Sequence, residues 1–94
     1  LVFRPGDGNE TSGAYKLAIQ NRKRPSALCL SRQGMPNQKN TSIEKVALGG
    51  YIVSDCDGTP DLIFIGTGSE LNLCIEASKG FLHRQIHFIL PPSR

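Results

Sequence analysis

The chain has 94 residues, of which 38% are hydrophobic and 20% charged, with no tryptophan. This composition fits one small globular domain or a piece of a larger protein; it excludes a disordered chain, and no apolar run approaches the ~20 residues of a membrane-spanning helix. The net charge is +3 and unevenly divided: residues 1–48 hold eight Lys/Arg against three Asp/Glu, a net +5. This asymmetry indicates two segments with different surroundings, or an anionic partner for the first half.

The first predicted element is a helix over residues 9–21, in the segment DGNETSGAYKLAIQN. Asp7 precedes Glu10 by three residues, close to the spacing of a capping box, and apolar residues then recur at helical intervals. Gly13 weakens the helix by up to ~1 kcal/mol relative to alanine, which indicates close packing there. Pro25 prevents the helix from continuing.

Apolar strands and a second helix follow. Ser26–Ser31 is apolar on both faces, as in a central parallel strand covered by helices, and residues 34–48 form a polar linker with one helical turn. The segments YIVSD and DLIFIG are predicted strands, and Ser69 is predicted to cap a helix. The segment IHFIL is compatible with a last strand. Helices alternating with apolar strands predict an α/β fold with parallel pairing.

Arg32 follows the predicted strand directly, in the segment SALCLSRQ. Ligands of open parallel sheets collect beyond the carboxyl ends of the strands, and an arginine there can hold a phosphate or carboxylate with two N–H groups. The alternative for Arg32 is an ordinary exposed arginine or a structural ion pair.

Two patterns are similar to metal sites. Gly-Asp-Gly at 6–8 followed by Asn37 resembles the metal motif of thiamine-diphosphate enzymes, but no long apolar strand precedes it, which favours helix capping. His83 and His87 have the i,i+4 spacing of a metal-binding helix face, but no third ligand lies nearby. We predict that neither pattern binds a metal.

Two further patterns are compatible with anion binding. The segment IGTGSEL places a Gly-containing turn at a helix start, but it lacks the lysine of a phosphate loop, which favours a structural turn. The basic residues at 22–24 have no interleaved aromatics, which favours a solvated helix end over a nucleic-acid contact.

Three segments together resemble transketolase, particularly the plant chloroplast type: FRPGDGNETSGAYKLAIQNRKRPSALCLSRQ, TSIEKVALGGYIVSD and PDLIFIGTGSEL. The resemblance runs almost continuously from Val2 to about Lys79, and no part of it is a generic motif. After LSRQ the family has NLP, whereas this chain has GMP.

The resemblance implies a division of the chain into four parts. Residues 1–33 resemble the end of the pyrimidine-binding domain, 34–48 a linker, and 49–79 the start of the C-terminal domain, so we expect partial parallel-sheet segments of two domains. Residues 80–94 diverge from the family pattern. We therefore expect a truncated product, with a tail derived from a shifted reading frame or a retained intron.

The resemblance also implies a chemistry. Transketolases transfer a two-carbon ketol unit between sugar phosphates in the pentose phosphate pathway and the Calvin cycle, using thiamine diphosphate with magnesium or calcium. The family's arginine in LSRQ binds the sugar phosphate, and the matching residue is Arg32. The family's metal ligands, activating glutamate and catalytic histidines have no counterpart in this chain. We therefore expect no catalytic residue, no bound cofactor or metal, and no activity of the chain alone.

The alternative function is an interaction module. Unpaired strand edges favour self-association or docking onto full-length transketolase, and the sparse aromatic residues disfavour nucleic acid as the partner. We expect no membrane association. The resemblance implies the chloroplast as the compartment, with the cytoplasm as the alternative.

Overall fold

The computed structural model describes residues 1–88, which form helices and short strands in an α/β arrangement. In chain order the elements are β1 (Val2–Phe3), α1 (Gly8–Gln20), β2 (Ala27–Leu28), a 3₁₀ helix (Glu44–Leu48), β3 (Gly50–Ser54), β4 (Leu62–Thr67), α2 (Glu70–Ser78) and β5 (His83–Phe88). No helix in the described range is long and apolar enough to cross a membrane.

The strands form two sheets. β1 pairs with β2 in parallel, and the second sheet has the order β3-β5-β4. β5 runs parallel to β4 and antiparallel to β3. The predicted α/β class with parallel pairing is therefore confirmed, with one antiparallel pair added. Helix α2 connects β4 to its parallel partner β5. No helix lies between β3 and β4, and these two strands run in opposite directions.

The strand predicted at Ser26–Ser31 is shorter than expected. Only Ala27 and Leu28 pair with a neighbour, because β1 itself has only two residues. Beyond β2 the chain is mostly exposed, and Leu30 keeps 52% of its surface accessible. An apolar run of this kind is buried on both faces when helices cover a central strand, whereas among residues 1–88 this strand stays largely exposed.

One core joins the two halves of the chain. Its buried side chains come from β1, α1, the 3₁₀ helix, β3 and α2, namely Phe3, Ala14, Val46, Tyr51, Val53 and Leu71. Strand β5, which includes the first residues of the predicted IHFIL strand, lies at the centre of the second sheet. Ile89 and Leu90 lie outside the described residues.

Among residues 1–88, a helix covers the second sheet on one face only. A Cβ added at Gly66 would lie 2.9 Å from Cys74 Sγ, so α2 packs on the face to which residue 66 belongs. On the opposite face Ile86 is the cross-strand partner of both Ile52 and Ile65, and Ile63 lies two residues before Ile65. We call these four side chains the isoleucine face. Ile52, Ile63 and Ile65 are 42%, 55% and 61% exposed.

Candidate functional site

The carboxyl ends of β1 and β2 lie at the same edge of their small sheet, because Val2 is opposite Ala27 and Phe3 opposite Leu28. The segments that leave the two strands form the walls of an open cleft of about 210 Å³. The cleft is lined by Pro5, Gly6, Asp7, Gly8, Thr11, Leu30, Ser31, Gln33 and Met35. This is the position at which parallel sheets bind ligands.

Arg32 itself does not line this cleft, although its chain neighbours Ser31 and Gln33 do. All three residues are exposed. Within residues 1–88 the ion pairs join Lys79 to Glu76 and Arg84 to Asp55, so Arg32 is in neither. The cation predicted at the strand end is therefore at the surface, next in sequence to residues of a cleft with both polar and apolar lining, and it is in neither ion pair of residues 1–88.

The cleft wall is fixed by the N-terminus of α1. The buried Asp7 caps the helix, since its Oδ1 accepts a hydrogen bond of 3.0 Å from the Glu10 amide. Glu10 completes the arrangement by accepting a bond of 2.8 Å from the amide of Gly6, one residue before the cap. The predicted cap is confirmed; Glu10 reaches back to Gly6 where a standard capping box would reach the cap residue itself.

Asp7 and Asn37 both lie at the N-terminus of α1, where they have a structural role. Asp7 Oδ2 accepts bonds from the Gln38 amide at 2.9 Å and from the Thr41 hydroxyl at 2.6 Å. Asn37 Oδ1 accepts from the amide of Asn9 at 3.2 Å, so it too serves the first turn of α1. Asp7 thus caps α1 through Oδ1 and fixes residues 38 and 41 through Oδ2.

His83 and His87 lie on strand β5 and not on a helix. Four residues along a strand separate two Cα atoms by about 13 Å, which is too far for a shared metal ion. Among the described residues no group of three or more His, Cys, Asp or Glu is placed to hold a metal.

The Gly-containing turn before α2 is structural. Gly68 has a φ of 58°, and its amide donates to the carbonyl of Arg4 at 3.2 Å. The Arg4 guanidinium lies 3.4 Å from the position that a Cβ of Gly68 would occupy. Ser69 is the N-cap residue of α2, as predicted, but its hydroxyl makes no capping bond and donates instead to the carboxylate of Glu70. The basic residues 22–24 are exposed after the end of α1.

A buried polar contact that the sequence did not reveal joins the two halves. The Tyr51 hydroxyl, on β3, donates to Glu10 Oε2 at 2.5 Å, and Glu10 is fully buried. The same hydroxyl accepts a bond of 3.3 Å from the Ser42 amide. Glu10 therefore fixes both the entrance of α1 and the position of the second sheet. No local pattern could have paired residues 41 positions apart.

This contact predicts an alkaline sensitivity. Burial, and then the hydrogen bond to Glu10, raise the pKa of Tyr51 well above its usual value near 10. The folded state therefore holds this proton where the unfolded state loses it. The resulting stability is complete below about pH 10 and is lost as the pH rises further, by up to ~1.4 kcal/mol per pH unit.

Chemical denaturation between about pH 9 and 11 tests this expectation. The free energy of unfolding should fall more steeply with pH in the native chain than in Tyr51→Phe. Tyr15→Phe is the matched control, because Tyr15 is half-exposed on α1, and it should behave like the native chain. Equal slopes in Tyr51→Phe and Tyr15→Phe would contradict the assignment.

Comparisons with known proteins identify what this arrangement is similar to. Residues 49–88 match the family described as transketolase-like TK C-terminal domain. A transketolase of Nostoc sp. is 62% identical over 80 residues, which are 83% of this chain and 12% of that protein. The chloroplastic transketolase of Solanum tuberosum is 58% identical over 81 residues, 84% of this chain and 11% of that protein.

Solved structures agree. The transketolase of Leishmania mexicana superposes with a TM-score of 0.89 at 36% identity, over 96% of this chain and 14% of that one. A Pichia stipitis transketolase in complex with sedoheptulose-7-phosphate gives a TM-score of 0.84 at 39% identity, over 94% of this chain and 14% of that one. The chain thus spans about an eighth of the length of the relatives that it matches.

Proposed function

Because the chain belongs to the transketolase family, we propose that the cleft beside Arg32 binds the phosphate group of a sugar phosphate. The observation that supports this function is the position of Arg32, exposed and outside both ion pairs of residues 1–88, where two parallel strands end at an open cleft. The Pichia stipitis relative is described in complex with a sugar phosphate. The net charge of +5 on residues 1–48 adds a field that attracts anions.

We propose that this chain alone does not transfer ketol units. In the relatives, of which the matched residues make up 11–14%, these residues form one part of the protein, and the thiamine diphosphate and metal would be held by other parts. The proposed division is residues 1–33 as the end of the pyrimidine-binding domain, 34–48 as a linker and 49–79 as the start of the C-terminal domain, the last supported by a family match that begins at residue 49.

The phosphate site predicts weak, saturable binding of ribose 5-phosphate. One exposed arginine–phosphate contact contributes about 1–3 kcal/mol, so the dissociation constant is expected in the millimolar range or above. Titration followed by backbone amide shifts should move the signals of residues 31–34. These shifts should disappear in Arg32→Ala and persist in the matched control Arg22→Ala, which removes an equally exposed arginine after α1.

Ribose without its phosphate is the ligand control and should cause no saturable shift. Shifts that survive in Arg32→Ala, or that centre on Thr67 to Glu70, would assign the anion to the turn before α2 and refute the proposed site.

A second candidate function is an interaction module that binds transketolase chains. It is supported by the exposed isoleucine face and by the outer edge of β4, which has no paired strand among the described elements. Because the exposed side chains of this face are aliphatic, they favour a protein partner over nucleic acid, which stacks on aromatic rings. We propose the plastid as the compartment, as for the Solanum tuberosum relative named chloroplastic; the relative from Nostoc sp. shows that the similarity extends beyond plants.

A further inference from the structure

One wall of the cleft, residues 5–8, is held from the second half of the chain by two series of hydrogen bonds. The first series begins at Tyr51 on β3, whose hydroxyl donates to Glu10 Oε2 at 2.5 Å. Glu10 Oε1 in turn accepts a bond of 2.8 Å from the amide of Gly6, and Gly6 lines the cleft. Two hydrogen bonds therefore connect a strand of the second sheet to the cleft wall.

The second series begins on helix α2. Asn72 Oδ1 accepts a bond of 3.1 Å from Gln38 Nε2, and the amide of Gln38 donates to Asp7 Oδ2 at 2.9 Å. Asp7 lines the cleft and caps α1 through its other carboxylate oxygen. The cleft wall is thus connected to α2 as well as to β3.

The geometry of this wall depends on these bonds. Two of its four residues, Gly6 and Gly8, are glycines and have no side chain with which to pack. Glu10 is fully buried and Tyr51 is 7% exposed, so the bond between them lies in an interior where hydrogen bonds are strong and an unpaired group is costly. A displacement of β3 therefore moves the cleft wall with it.

We infer that residues 49–88, which match the transketolase C-terminal domain, set the affinity of the cleft for sugar phosphates, with Tyr51 and Asn72 as positioning residues. Neither residue lines the cleft. Tyr51 acts through Glu10, and Asn72 acts through Gln38. The inference rests on the sugar-phosphate function proposed above, and it uses only contacts made within residues 1–88.

Titration of the full chain with ribose 5-phosphate, followed by the amide shifts of residues 31–34, tests the inference. Each variant is measured at a temperature at which circular dichroism shows it to be folded. Tyr51→Phe removes the donor but keeps the ring, and it is expected to raise the dissociation constant about threefold to tenfold. Asn72→Leu should have an effect in the same range. Asn72→Asp keeps an acceptor for Gln38, so it should stay within about twofold of the native value.

Val53→Ala is the matched control for a loss of stability alone. Val53 lies on the same strand as Tyr51 and is 4% exposed in the same core, but its side chain belongs to neither series. The substitution should lower the melting temperature and leave the dissociation constant within about twofold. The amide signal of Gly6 reports the position of Glu10 without any ligand. It should shift in Tyr51→Phe and stay unchanged in Val53→Ala.

The outcomes separate the inference from the proposed function. Binding that is lost in Arg32→Ala but unchanged in Tyr51→Phe and Asn72→Leu would overturn the inference alone. An effect of Val53→Ala as large as that of Tyr51→Phe would also overturn it, because affinity would then follow stability. A native chain without saturable binding would refute the proposed function and the inference with it. If Tyr51→Phe does not fold, the comparison of Asn72→Leu with Asn72→Asp decides the question.

Discussion

Replacing Glu10 by alanine is expected to lower the free energy of unfolding by roughly 2–6 kcal/mol, which would unfold much of a marginally stable small domain. The substitution removes the acceptor of the Gly6 amide and of the Tyr51 hydroxyl. A buried donor left without a partner costs about 1–3 kcal/mol, and two are left here. Urea denaturation followed by far-UV circular dichroism measures the loss.

The matched control is Glu76→Ala, which removes a glutamate from a helix surface. Glu76 is exposed and pairs only with the exposed Lys79, so its loss should cost no more than about 1 kcal/mol. Tyr51→Phe removes one of the two donors, and the double variant should cost less than the sum of the two single changes. A loss in Glu10→Ala no larger than in Glu76→Ala would show that the contact between the halves contributes little.

The contacts of Glu10 show which interactions a sequence pattern can predict and which it cannot. The spacing of Asp7 and Glu10 predicted the start of α1, because capping depends on residues within one helical turn. The second partner of Glu10 is Tyr51, which lies 41 residues further along the chain, beyond the linker and the 3₁₀ helix. Local chemistry is therefore predictable from a single sequence, while a buried contact between distant segments is not.

Burial was predicted less well than element type. The apolar run Ser26–Ser31 did indicate a strand, and the pairing of β2 with β1 is parallel as expected. Its length and exposure depend on neighbouring strands and covering helices, which hydrophobicity alone does not describe. The same limit applies to β4, which is strongly apolar but lies at the edge of its sheet, with Ile65 exposed.

The candidate site too was predicted only in part from the sequence. Arg32 was predicted from its place after an apolar strand, and the structure places it beside a cleft at the carboxyl ends of two parallel strands. The opposite wall of the cleft comes from Pro5 to Thr11, and no spacing rule connects those residues to Arg32. Its role in phosphate binding stays a prediction, which the titration described above tests.

Gly13→Ala is the second substitution with a large expected effect. We expect it to lower the free energy of unfolding, although alanine has a higher helix propensity than glycine. In an exposed helix the change from glycine to alanine stabilises by up to ~1 kcal/mol. At position 13 the new Cβ would lie 2.6 Å from the carbonyl oxygen of Ile43 and 2.6 Å from Val46 Cγ2. Both contacts are far inside van der Waals distance, and one is with backbone, which cannot rotate away.

The 3₁₀ helix must therefore move away from α1, and the core around the fully buried Val46 must open. Overpacking of this kind typically costs about 1–3 kcal/mol, so a net loss of up to about 2 kcal/mol is expected after a gain in propensity of about 1 kcal/mol. Ser12→Ala is the control, because Ser12 is the exposed neighbour on the same helix and alanine there should be neutral or slightly stabilising. Thermal melts of the two variants should shift in opposite directions or differ by several degrees. If Gly13→Ala melts at or above the temperature of Ser12→Ala, then the approach of α1 to the 3₁₀ helix is looser than its contacts indicate, and Gly13 is not what sets their separation.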